Sequence, residues 1–80
     1  MSENANVTYE VKRKIGAIST NPKTNWTTEL NFIEWNGNPA KFDIRDWSPE
    51  HDKMSKGITL SVEEAEQLYK LLAIGLGKNI

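Results

Sequence analysis

Eighty residues with 38% hydrophobic content, ten Lys/Arg against eleven Asp/Glu and a formal net charge of −1 fit one domain, 1–80, with a thin core that pairing with a second copy would enlarge. The absence of cysteine excludes a disulfide framework or thiolate metal site, and the charge balance counts against a strongly basic DNA-binding protein. No run approaches the ~20 apolar residues of a membrane span, and the opening MSENANV lacks the basic-then-apolar order of a secretory signal, so a soluble, cytoplasmic chain with no membrane partner is expected.

Val7, Tyr9, Val11, Ile15 and Ala17 share one parity, which predicts a long first strand with Arg13 as the exception on its apolar face. Thr8, Glu10, Lys12, Lys14 and Gly16 take the other parity. Gly16, well inside the pattern, predicts a bulge or bend. NPKTN (21–25) reads as a turn. The run from Trp26 to Trp35, WTTELNFIEW, is a second strand with ambiguous faces: Leu30 and Phe32 share one side, Ile33 and Trp35 the other. NGNP (36–39) supplies a hairpin turn.

In the third strand Phe42 and Ile44 point one way, while Lys41, Asp43, Arg45 and Trp47 point the other. The polar loop SPEHDKMSK comes next, then Gly57 and a short strand with Ile58 and Leu60 inward. Ser61 with Glu64 three residues on is a capping box. Ala65, Leu68, Tyr69, Leu72 and Leu76 form an apolar stripe, and Leu71 and Ile74 widen it. Two readings of that width stand: a helix set deep in its own core, or a partner helix in a dimer. Gly75 and Gly77 end the helix. The fold expected is α+β, a curved four-stranded antiparallel sheet followed by one C-terminal helix (β-β-β-β-α), ordered over about 7–74, with the helix on one face and the other open to solvent.

On that open face Lys12, Lys14, Lys41 and Arg45 outnumber Glu10 and Asp43, and Lys56 stands at the entry to the last strand. Trp47 lies in line with Arg45, and Phe32 or Trp35 joins from the second strand. Cations interleaved with aromatics suit a single-stranded nucleic acid, whose phosphates meet the cations and whose unstacked bases lie on the rings. Cross-strand charge pairing without a ligand is the plain alternative, and an exposed Trp47 serves a protein partner equally well. Asp43, Asp46, Glu50 and Asp52 lack the spacing of a cation loop. His51, between two acids, reads as solvated. No nucleophile–base pair or phosphate loop is visible, so neither an enzyme nor a cofactor is expected.

Residues 41–72, through KFDIRDW, the PEHDKM loop and KGITLSVEEAEQLYKLL, resemble the C-terminal domain of the transcriptional coactivator positive cofactor four, in its bacterial YdbC-like branch. The similarity extends back through Trp26 and LNFIEWN. The resemblance implies a symmetric dimer of curved sheets that binds single-stranded DNA with little sequence preference along concave surfaces. It also implies that Arg45 contacts phosphate, Trp47 stacks a base and Lys56 touches the nucleic-acid backbone. Lys12, Lys14, Lys41, Trp26 and Phe32 join the candidate surface from parity and composition, and Leu71 and Ile74 are the candidate dimer contacts. Eukaryotic members carry a longer Lys/Gly-rich second hairpin where this chain has NGNPA, and a serine-rich regulatory region not seen here. RNA stays open as ligand, transcription or replication proteins as further partners, and a protein-interaction module as the rival function.

Overall fold

The computed structural model describes residues 7–78. Four strands, β1 (Tyr9–Thr20), β2 (Thr27–Trp35), β3 (Lys41–Trp47) and β4 (Ile58–Leu60), form one antiparallel sheet in sequential order, followed by helix α1 (Val62–Leu76). The β-β-β-β-α order is the one expected. Turn chemistry joins the strands. Asn21 Oδ1 accepts the backbone N–H of Lys23 and Thr24, and Asn25 takes the left-handed backbone (φ 64°) that asparagine tolerates.

The capping box of α1 is complete. Glu64 N–H donates to Ser61 Oγ at 3.1 Å and Ser61 N–H to Glu64 Oε1 at 2.8 Å. At the other end the helix runs through Gly75 and stops at Gly77, whose left-handed φ of 74° lets Lys78 N–H reach the Ala73 carbonyl. Among the described residues no helix is long and apolar enough to cross a membrane.

Strand β1 departs from simple alternation. Its register against β2 shifts between Val11 and Arg13, between Lys14 and Gly16, and between Ala17 and Ser19. Each shift inserts one extra β1 residue (Lys12, Ile15, Ile18), which flips the parity of the residues beyond it and bends the strand. The bend expected at Gly16 is therefore one of three. By register, Tyr9, Val11, Lys14 and Ala17 share a face with Trp35, Ile33, Asn31 and Glu29, whereas Arg13 pairs with Phe32 on the opposite face. The apparent exception at Arg13 is a consequence of the first bulge.

The sheet is curled. Trp35 and Thr27 stand at opposite ends of β2, and Trp47 pairs with Thr27. Eight residues of flat strand would separate those ends by about 26 Å. Yet the Tyr9 ring centre lies 5.3 Å from that of Trp35 and 5.8 Å from that of Trp47. The face carrying these three aromatics is concave.

The burial corrects the expectation of a helix-covered core and an open opposite face. Ile33, Asn31, Asp43 and Trp47, all on the concave face, are the buried sheet residues. On the convex face Leu30, Phe32, Phe42, Ile44 and Leu60 are only half-buried, because α1 packs at the β3–β4 edge. Between helix and sheet lies an apolar groove of about 440 Å³ lined by Leu30, Phe42, Ile44, Leu60, Leu68 and Leu72.

Candidate nucleic-acid interface

At the centre of the concave face Arg45 grips Asp43 with two bonds, Nε to Oδ1 at 2.7 Å and Nη2 to Oδ2 at 2.8 Å. Its Nη1 donates to the Ser55 carbonyl at 3.2 Å, and the guanidinium carbon lies 4.6 Å from the centre of the Trp35 ring. Asp43 is fully buried and the Arg45 side chain only 13% exposed. A charge buried with its partner is costly to leave alone, so this pair holds β3, Trp35 and the following loop in one arrangement. The sequence led to the expectation of a phosphate contact for Arg45; in the structure its fork is engaged by Asp43 and the Ser55 carbonyl, while the residue also lines the groove beside the β2–β3 turn.

Trp47 keeps the predicted parity, on the face of Lys41, Asp43 and Arg45, but it is 1% exposed, which corrects the expectation of an exposed ring. Two things cover it. Curling brings Tyr9 onto it, and residues 48–57 fold back beside β3. That loop is tied by Ser48 N–H to the Lys53 carbonyl (2.9 Å), Ser55 N–H to the Asp46 carbonyl (3.0 Å) and a bridge pairing Met54 with Trp47. His51, at φ 62°, stacks on the indole with ring centres 5.1 Å apart and planes 14° from parallel. Its Nε2 is 2.9 Å from Glu29 Oε2. His51 is thus a packed residue rather than the solvated one expected. Burial pushes the Glu29 carboxyl up, but hydrogen bonds from Thr27, Asn31 and His51 outweigh it and hold the group below the usual carboxylate range.

Three of the four acids weighed as a metal cluster are engaged separately. Asp43 holds Arg45, Asp46 accepts from Thr28, and Asp52 accepts from Ser48. Gly57 explains the KGI stretch. A Cβ there would lie 2.3 Å from the Ile44 carbonyl oxygen and 2.4 Å from Arg45 Cβ, so only glycine lets the chain cross β3 this closely. Lys56, just before it, is exposed.

Among the other predicted residues, Lys14 and Lys41 are exposed on the concave side, opposite Asn31 and Ile33. Lys12 is not with them. It lies 3.3 Å from Glu34 and 3.4 Å from Glu10, pairs that raise its pKa, led by the bond to Glu34. The first bulge leaves Lys12 beside Glu10, where parity had put it, and moves Lys14 to the other face; the face shared by Glu10 and Lys12 is the convex one. Phe32 is on the convex face, its ring 4.8 Å from Phe42 and 6.0 Å from the Arg13 guanidinium. Trp26 precedes β2 and lines a polar hollow with Asn21, Thr28 and Asp46 at the β1–β2 end. An open groove of about 530 Å³ runs beside the β2–β3 turn, lined by Trp35, Asn38, Pro39, Lys41, Arg45 and Thr59. Parity left Trp35 as an alternative to Phe32 and did not point to Asn38. The shared side of Ile33 and Trp35 was the available signal, and only strand register shows which way it faces.

The chain is thus a curled antiparallel sheet with one edge helix, on whose concave side Trp35, Lys41 and Arg45 line a groove. The family model Transcriptional Coactivator p15 (PC4) matches residues 23–71, and the chain belongs to that family. An uncharacterized protein of Treponema pallidum (strain Nichols) is 50% identical over 64 residues, which span 80% of this chain and 74% of that protein. The family match begins after β1, so Lys12 and Lys14 lie outside it.

Proposed function

We propose that this chain binds single-stranded DNA with little sequence preference along its concave face, in the service of transcription or DNA maintenance in the cytoplasm, in the manner of a YdbC-like branch of the family. The observation that carries this reading is the charge pattern. On the concave face Asp43 is matched by Arg45, and Glu29 by Thr27, Asn31 and His51. Lys14, Lys41 and Lys56 stand exposed with no ion pair among the described residues. On the opposite face Lys12 is paired with Glu10 and Glu34, while Arg13 lies against the Phe32 ring with no ion pair among the described residues. Lys41, lining a groove walled by Trp35 and without an ion pair among the described residues, with Lys14 exposed on the same face, suits phosphates and unstacked bases together. In this reading Trp35, with Lys14, Lys41 and Lys56, takes the direct contacts. Arg45 and Trp47 hold the surface in shape.

Pairing into a symmetric dimer belongs to the same proposal. Leu72 and Tyr69 line the apolar groove, and Leu71 and Ile74 extend apolar surface on the side of α1 away from it, with Ile74 74% exposed. A second copy covering these residues removes a patch that a lone domain of this size leaves to water.

Fluorescence anisotropy of a labelled oligo-dT of about twenty nucleotides, against its duplex and an oligo-U strand, tests the function. Tighter binding of the single strand that weakens as salt rises is expected, because bound lysines release counterions. Binding indifferent to salt and strandedness would turn the face over to a protein partner.

A further inference from the structure

The β2–β3 turn is fixed by its own sequence. Asn36 (φ 52°) and Gly37 (φ 77°) both take left-handed backbone, and Asn38 N–H donates to the Trp35 carbonyl at 2.9 Å. Asn36 and Gly37 are thus the two central residues of a left-handed turn of the kind Asn-Gly favours, within a five-residue connection between β2 and β3. The Asn36 carboxamide is engaged, its Oδ1 accepting the Thr8 N–H at 2.9 Å. Asn38 differs. It is exposed, lines the groove of Trp35 and Lys41, and its side chain has no hydrogen-bond partner among the described residues. The turn thus presents at the groove rim an unengaged carboxamide with one acceptor and two donors.

We infer that this groove is a nucleotide subsite in which Asn38 pairs with the Watson–Crick edge of one unpaired nucleobase. The inference rests on the proposed nucleic-acid reading. Each of the four bases offers on that edge a donor beside an acceptor, and the carboxamide oxygen and NH₂ match such a pair. The subsite therefore requires a base without requiring a particular one. In a duplex the same edge is occupied by the opposite strand. Asn38 thereby selects single strands through a hydrogen bond, in addition to the phosphate attraction that both forms share. The groove volume of about 530 Å³ is that of a small-ligand pocket. Trp35 forms its aromatic wall, and Lys41 stands where the nucleotide's phosphate leaves it.

The test compares oligo-dT with an equal-length strand of N3-methylthymidine, whose phosphates are unchanged but whose base edge has lost its donor. Anisotropy is read for the wild type and Asn38→Ala. The wild type is expected to bind dT about 3- to 10-fold more tightly than the methylated strand, the effect of one hydrogen bond. Asn38→Ala, with an unchanged thermal midpoint, is expected to bind both strands at the weaker level. If dT binding persists but the wild type treats both strands alike, or Asn38→Ala still separates them, the subsite is overturned and the wider reading stands. A wild type that binds neither strand overturns the nucleic-acid reading and the subsite with it.

Discussion

Arg45 and Asp43 are joined by two bonds of 2.7 and 2.8 Å inside the concave face, with Trp35 stacked against the guanidinium. The Asp-Ile-Arg stretch is therefore first a structural clasp. Its two charged residues, two positions apart on β3, share a face, and the long arginine folds back over the short aspartate. Removing either partner strands a buried charge. Arg45→Ala and Asp43→Ala are each expected to lower unfolding free energy by about 3–5 kcal/mol, read from urea titrations. Arg45→Lys keeps the charge but not the fork, and should fall between them and the wild type. Wild-type stability in Arg45→Ala would show that the clasp holds nothing.

The lysines divide by face. Lys41→Ala is expected to weaken single-strand binding and flatten its salt dependence by about 0.7 in log–log slope for each phosphate no longer neutralised. Lys12→Ala, which removes a cation already paired with Glu10 and Glu34, should leave both unchanged. Equal losses in the two variants would mean that binding follows overall charge and not the concave face.

Gly57 is confined by the Ile44 carbonyl and Arg45 Cβ. Gly57→Ala must push the chain away from β3, loosening Lys56 and the start of β4 together. A drop of about 1–3 kcal/mol is expected, visible as a lower thermal midpoint. An unshifted midpoint would contradict the close crossing.

Leu72 faces the groove and Ile74 the far side of α1, yet both are largely exposed in the single chain. Leu72→Asp and Ile74→Asp are each expected to raise the dimer dissociation constant tenfold or more, since burying one such side chain contributes about 1.5–3 kcal/mol. Sedimentation velocity over a concentration series reads this. A wild type that stays monomeric at high concentration would remove the dimer.

Acid sensitivity follows from Glu29. Its folded pKa is lowered, so the unfolded chain takes up its proton first as pH falls. The stability it contributes is complete above the ordinary carboxylate value of about 4.3 and is lost as pH drops through the lower folded value. Glu29→Gln should flatten the stability profile in that acid window. An unaltered profile would assign the acid response elsewhere.

Much of this arrangement is legible in the sequence where the signals are local. Ser61 and Glu64 mark the helix start, Asn36-Gly37 the hairpin, and the alternation of Lys41 to Trp47 the facing of β3. The features that are not legible depend on contacts between distant segments. The bulge at Lys12 leaves no mark in composition, yet it puts Lys14 on the concave face and leaves Lys12 with Glu10 on the other. Trp47 has the predicted parity and a different environment, because the charges beside it suggest exposure. His51 and Tyr9, 4 and 38 residues away along the chain, are the groups that cover it. Phe32 and Trp26 lie away from the concave groove for a related reason: aromatic content says nothing about which side of a curled sheet a ring occupies.

The most direct measurement is a ¹⁵N-resolved NMR titration of the three tryptophan indole signals with oligo-dT. Trp35 lines the groove, Trp47 lies buried under His51, and Trp26 sits at the far β1–β2 end. A strand on the concave face should shift the Trp35 signal most and leave Trp26 nearly still. A saturable shift confined to Trp26, or none in any indole, would contradict the assignment of that face.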